Sequence, residues 1–178
     1  MNRGIQNVVI GALVVAAAIA APIGAGSGGT AAAATPATTV VVRTALVSSL
    51  NTTLEGAIVT LTNARRALVG CRPLRVDLDL RQAARGHSRR MAKAQVMSHQ
   101  LPGEYRLGRR VTNAGYVGWT RVAENIAAGF SSASSVVRAW WNSPTHKRNL
   151  TDCSLRHIGV GVVWNGLRFY WTQDFGRR

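Results

Sequence analysis

Among the 178 residues of this chain, the side chains best suited to chemistry are four histidines, His87, His99, His146 and His157, and one carboxylate, Glu124. Imidazole binds metal ions and exchanges protons near neutral pH. His99 and His146 fall where regular structure is predicted to stop, and functional side chains concentrate in such loops. His87 falls instead on the apolar face of a predicted helix and reads as a buried, hydrogen-bonded histidine. His157 precedes a predicted strand and has no carboxylate close to it in sequence. Glu124 lies in Ala123-Glu124-Asn125-Ile126-Ala127, where an unpaired buried carboxylate would be costly. It needs a partner, and a histidine is a natural one. Neither His99 nor His146 is near it in sequence, so only the fold can bring them together.

The elements that must do so are partly legible. Leu46, Leu50, Leu54, Ala57, Ile58, Leu61, Ala64 and Leu68 recur at spacings of three and four, which predicts a long amphipathic helix that Gly70 stops and Pro73 closes off. Asp77 or Asp79 caps a second helix with Leu80, Ala83, Ala84, His87, Met91 and Ala94 on one face and Arg81, Arg85, Arg89 and Lys93 on the others. Residues 102–118 are broken by glycines and read as a loop with one short strand at 115–117. Serines 131–135 lead into a helix carrying Val136, Val137, Trp140 and Trp141, which must end before Pro144. Near the C-terminus, Ile158, Val160, Val162 and Trp164 alternate with small residues, and a second alternating run spans Leu167 to Phe175. Asn165-Gly166 between them signals a hairpin whose two turn residues both reach positive φ. Three helices ahead of a C-terminal antiparallel hairpin predict an α+β layered domain.

The N-terminus points to export. Between Arg3 and Arg43 there is no ionisable side chain; Val8 to Ala21 is apolar, and Ala31 to Ala34 offers small-residue cleavage sites. The apolar run is shorter than the roughly 20 residues that a membrane span needs. Residues 1–34 are therefore expected to be a signal peptide, 35–45 a linker and 46–178 the domain, with no transmembrane anchor in the mature chain. An exported chain with two cysteines is expected to pair them, Cys71 with Cys153. The formal net charge is +15, which draws a protein toward polyanions; export makes nucleic acid an improbable partner and favours anionic envelope polymers or lipid headgroups. Arg81, Arg85, Arg89, Arg90, Lys93, Arg106, Arg109 and Arg110 crowd into 30 residues and are the natural adhesive surface.

At Asn63-Ala64-Arg65-Arg66, Ala83-Ala84-Arg85-Gly86-His87-Ser88, Ser98-His99, Glu124-Asn125-Ile126-Ala127, Trp140 to Leu150, Ile158-Gly159-Val160-Gly161-Val162 and Tyr170 to Gly176, the sequence resembles the CAP superfamily. Also called SCP domains, these are the cysteine-rich secretory, antigen 5 and pathogenesis-related proteins, here in the bacterial secreted form. Each motif is weak alone, but their order and spacing are specific. The resemblance implies a three-layer α-β-α sandwich and a cleft with two histidines and two acids, of which His99, His146 and Glu124 carry over. The second acid does not; Ser143 stands in its place, Thr145 replaces a usual Gly, and Ala123 precedes the Glu where Gly often does. The resulting expectation is a secreted, monomeric, non-enzymatic binding module. His99 and His146 would bind Zn²⁺ or another divalent ion weakly, since two protein ligands are few, with Glu124 orienting one imidazole. Lipid or cell-wall ligands are compatible with it. The alternatives are a hydrolase using His99, Glu124 and His146, with either a metal-activated water or Ser143 as nucleophile, and a basic adhesion protein of the cell envelope.

Overall fold

The computed structural model describes residues 37–178, so the expected signal peptide at residues 1–34 lies outside the described residues. Five helices and four strands follow in order: α1 (Ala37–Ala67), β1 (Arg75–Val76), α2 (Leu78–Ala94), α3 (Leu107–Asn113), β2 (Arg121–Ala128), α4 (Ala133–Asn142), α5 (Pro144–Leu150), β3 (His157–Trp164) and β4 (Phe169–Arg177). No helix among the described residues is long and apolar enough to cross a membrane.

The first helix begins at Ala37, ahead of Leu46 and within residues 35–45, which the sequence presents as a linker. Its early apolar residues, Val40 to Leu50, stay exposed, and from Leu54 onward it packs on the core. Gly70, at φ +74°, ends it as expected. Asp77 is the cap of α2, its Oδ1 accepting from the backbone N–H of Asp79 at 3.0 Å and Leu80 at 3.1 Å. Leu80, Ala83, Ala84, His87 and Met91 are buried along one face, whereas Ala94 is exposed at the end of the helix.

The sheet has the order β1-β3-β4-β2, with β1 parallel to β3 and the other pairs antiparallel. Its two faces differ. Ile158, Val160, Val162, Trp171 and Phe175 join Ile58 of α1 and Val136, Val137 and Trp140 of α4 in the main apolar core. The opposite face is covered by α2, with Met91 on Ile126 and Tyr170, and by α3, whose Val111 packs with Leu80 and Tyr116. Gly159 and Gly161 are required there, because a Cβ on either would collide with the backbone of α2 at Leu80–Arg81 and Ala84–Arg85. Helices on both faces of one sheet make the expected α-β-α sandwich.

Two local expectations, the strand at 115–117 and the two positive-φ turn residues, are corrected. Residues 102–118 hold the helix α3 and no strand at 115–117; it is short, with only Leu107, Val111 and Ala114 marking its apolar side, and Trp119 supports it by lying against Gly108 and donating to Thr112 Oγ1 at 2.9 Å. Glu124 sits on a strand, β2, which lacks clean alternation because it is buried on both faces over residues 124–127. The hairpin exists, but its loop is four residues long and only Gly166 has positive φ, at +95°. Asn165 closes it with its side chain, Oδ1 accepting from Leu167 N at 3.0 Å and Arg168 N at 2.9 Å. Cys71 and Cys153 are disulfide-bonded across 82 residues of sequence.

Candidate functional site

The candidate site wraps the β2 edge of the sheet. Pairing with β4 sets Glu124 opposite Asp174, on the face that α2 and α3 cover. Asn125 points the other way and ties α5 to the strand. Its Oδ1 accepts from Asn149 Nδ2 at 2.9 Å, and its Nδ2 donates to Gln173 Oε1 at 3.2 Å and to the His146 carbonyl at 3.3 Å. Asn149 also donates to the Glu124 carbonyl at 3.1 Å. The residue following the glutamate therefore fixes the backbone that carries His146.

Glu124 is buried and fully engaged. Oε1 accepts from His99 Nδ1 at 2.7 Å, and Oε2 accepts from the Arg110 guanidinium. His99 itself is open, with 60% of its side chain exposed, so its Nε2 faces solvent while Nδ1–H is held by the carboxylate. His146 approaches from α5. Its Nδ1 lies 2.7 Å from Ser143 Oγ, and burial together with the nearby His99 pushes its pKa below the ordinary imidazole value. Each imidazole thus has Nδ1 in a hydrogen bond and Nε2 uncommitted, as a metal ligand requires. Among the described residues no group of three or more His, Cys, Asp or Glu side chains is arranged to hold a metal ion. The fold brings His99 to Glu124 and His146 near His99. It does not bring Glu124 to His146, so a Ser143/His146/Glu124 relay is not formed.

Behind this exposed pair lies a buried polar cluster that sequence reasoning did not find. Arg110 joins three groups: it donates to Glu124, its Nη1 donates to the His99 carbonyl at 2.8 Å, and the same nitrogen is 3.6 Å from Glu104 Oε2. His87 is buried, as expected, and its Nδ1 is hydrogen-bonded to Glu104 at 2.9 Å. Its Nε2 has no hydrogen-bond partner and stands 3.8 Å from Glu124 Oε2. Asp174 is completely buried, and neither of its oxygens accepts a hydrogen bond from a donor side chain or N–H. Burial first, then the charge of Glu124, hold the Asp174 carboxyl well above the usual carboxylate range, against the opposing pull of Arg110. A protonated Asp174 donating to Glu124 accounts for both facts, and it relieves a cluster with three carboxyl groups and a single guanidinium. The signal was present: Thr172 and Asp174 are polar at successive same-face positions of a strand that also carries Tyr170, Trp171 and Phe175.

Two openings flank the cluster. A shallow one of about 290 Å³ is lined by His99, Gln100, Arg106, Leu107 and Glu124. A larger one of about 600 Å³ lies between α2 and α3, with His87, Glu104 and Arg110 in its wall and Arg89, Arg90 and Tyr105 also lining it. The larger space is not the one that carries His99, so volume alone does not mark the chemistry.

Comparison with known proteins gives one answer. The model of the cysteine-rich secretory protein (CAP) family matches residues 59–175. The uncharacterized protein YkwD of Bacillus subtilis is 36% identical over 121 residues, covering 68% of this chain and 46% of YkwD. A Bacillus anthracis extracellular protein containing an SCP domain superimposes with a TM-score of 0.69 at 30% identity, over 74% of this chain and 43% of that one. An outer surface protein of Borrelia burgdorferi shares the fold, with a TM-score of 0.63 at 22% identity over 67% of this chain and 89% of its own. The chain spans less than half the length of the Bacillus relatives it matches. It belongs to the cysteine-rich secretory protein (CAP) family.

Proposed function

We propose that the chain is a secreted binding module whose cleft takes a divalent metal ion through Nε2 of His99 and of His146. The carrying observation is the 2.7 Å bond from His99 Nδ1 to Glu124, since a carboxylate that holds one ring nitrogen as N–H leaves the other as a metal-binding lone pair. A donor His146 Nδ1–H to Ser143 Oγ does the same for the second imidazole. The donor set fits a weak, open site, because two imidazoles leave half of a zinc ion's four positions to water or ligand. Such an ion acts as a Lewis acid toward a ligand's oxygens. Glu124 then serves as the orienting group, locked by Arg110. Support for secretion comes from the disulfide and from the Bacillus anthracis relative, described as extracellular. Anionic envelope polymers or lipids are the partners that the +15 charge favours.

The Ser143–His146 contact favours a hydrolase as the second reading, but Glu124 is committed to His99 and Arg110, so the serine-histidine pair lacks a carboxylate. Calorimetric titration of the oxidised protein with zinc at neutral pH tests the metal reading, beside a His99→Ala/His146→Ala variant. Saturable one-to-one binding lost in the double variant is expected. Absence of binding by the folded parent would make the histidines structural.

A further inference from the structure

A third opening lies at the other end of the sheet, where β3 starts and β4 ends. It has a volume of about 360 Å³ and is lined by Arg72, Pro73, Arg75, Arg156, His157 and Arg178. Four arginines and a histidine face one space, and no carboxylate lines it. These residues come from three separated stretches of sequence that the fold draws together. Parallel pairing of β1 with β3 sets Arg75 directly opposite His157, and His157 in turn lies opposite Gly176 of β4, two residues before Arg178. The Cys71–Cys153 disulfide ties the loop carrying Arg72 to the loop leading to Arg156. The buried Arg66 guanidinium reinforces that link by donating to the carbonyls of Arg72 at 3.1 Å, Leu150 at 2.9 Å and Asp152 at 3.0 Å.

The cations are unevenly engaged. Arg178 pairs with Asp77 at 2.8 Å and stacks on Tyr116. Arg72 and Arg75 have no carboxylate partner among the described residues, and Arg156 donates only to the backbone carbonyls of Cys153 and Leu155. His157 Nδ1 is 2.9 Å from Tyr116 Oη. Burial pushes the Tyr116 phenol up to about 12, so it keeps its proton and stays a neutral hydrogen-bond partner of Nδ1, leaving Nε2 of His157 without a partner among the described residues. A space walled by guanidiniums and an imidazole, on loops braced by a disulfide, is organised for an anion rather than for solvent alone.

We propose that this arginine cleft binds a phosphate group, free or carried as an ester. Guanidinium forks match phosphate oxygens in pairs, and four of them exceed what one carboxylate accepts. Pro73 is the sole apolar residue in the lining, so the cleft offers nothing to an acyl chain. The proposal gives the envelope-binding part of the function above a place and a chemical class, and it is independent of any metal at His99 and His146.

The test is calorimetric titration of the full chain with glycerol 3-phosphate, inorganic phosphate and glycerol, and sedimentation with anionic phospholipid vesicles. Two charge-matched variants are compared, Arg75→Gln/Arg156→Gln in the cleft and Arg81→Gln/Arg89→Gln on α2. Saturable binding of glycerol 3-phosphate and of inorganic phosphate, absent for glycerol, is expected. The cleft variant should weaken it at least about tenfold, as loss of charged hydrogen bonds does, and the α2 variant less than about twofold. Equal weakening by both variants would overturn the cleft while leaving general envelope adhesion standing. Absence of binding by both inorganic phosphate and its ester would overturn the proposal, and vesicle binding without ester binding would replace it with a lipid surface. A cleft variant whose melting temperature fell would be repeated as Arg72→Gln/Arg75→Gln, both exposed side chains without carbonyl bonds.

Discussion

The space between the sheet and α2/α3 and the cleft at the start of β3 handle charge in opposite ways. Inside, Glu104, Glu124 and Asp174 share one guanidinium, Arg110, and one imidazole, His87, all buried. At the cleft, four arginines and His157 meet without an acid in the lining. The contrast extends to the whole chain. Of its seven acidic residues, Glu55, Glu104, Glu124 and Asp174 are buried, Asp77, Asp79 and Asp152 are half-buried, and none is exposed. The carboxylates are spent on capping, on ion pairs such as Glu55 with Arg85 at 2.6 Å, and on the interior cluster. The outer surface is therefore more uniformly cationic than a net charge suggests, and net charge alone cannot say where ligands meet it.

The largest effect that would sharpen this comparison is expected from Glu124→Ala. It takes from the buried Arg110 its nearest carboxylate, leaving Glu104 at 3.6 Å, and releases His99, and removing one partner of a buried pair costs about 3–5 kcal/mol. A chemical-denaturation midpoint measures it, and a loss below 1 kcal/mol would show that the interior cluster is not an interdependent unit. Asp174→Asn should act in the opposite direction. The folded-state carboxyl titrates well above its unfolded value near 3.8, so the folded protein holds the extra proton and wild-type stability falls as pH rises from there toward the raised value. An amide cannot ionise but still donates to Glu124. The variant should match the wild type near pH 4 and melt about 2–4 °C higher at pH 8, an effect on the order of 1 kcal/mol. Equal pH profiles would mean that Asp174 is ionised in the fold. The smallest effect belongs to Arg89→Gln on the exposed face of α2, expected within about 0.5 kcal/mol of the wild type by the same denaturation assay.

How much of this was legible in the sequence depends on whether local pattern or tertiary contact does the positioning. Asp77 as a cap, the apolar face of α2, the hairpin around Asn165-Gly166 and the Cys71–Cys153 pair all carry local or compositional signals, and they stand in the structure. The partnership of His99 with Glu124 was reachable only as a need of the carboxylate; geometry supplied the partner and its 2.7 Å bond. Arg110 stands in sequence among surface cations because α3 has only seven residues, too few for Leu107 and Val111 to signal a helix, and its burial follows from contacts with Glu124 and the His99 carbonyl. The arginine cleft was invisible for a related reason. Arg72, Arg75, Arg156 and Arg178 form no run in sequence, whereas the crowded arginines of α2 do and fan out over its outer surface.

The glycines of β3 bear on how such a chain can vary in length. Ile158, Val160 and Val162 fill the core on one face, while Gly159 and Gly161 let the backbone of α2 lie against the other. Side chains alternate strictly along a strand, so inserting or deleting one residue within β3 would exchange the two sets. The β-branched side chains would then meet the helix backbone, and the core would receive hydrogen atoms in place of methyl groups. Substitutions away from Gly159 and Gly161 and length changes in connections such as residues 165–168 remain open to the fold. A length change inside this strand would strike both helical layers at once.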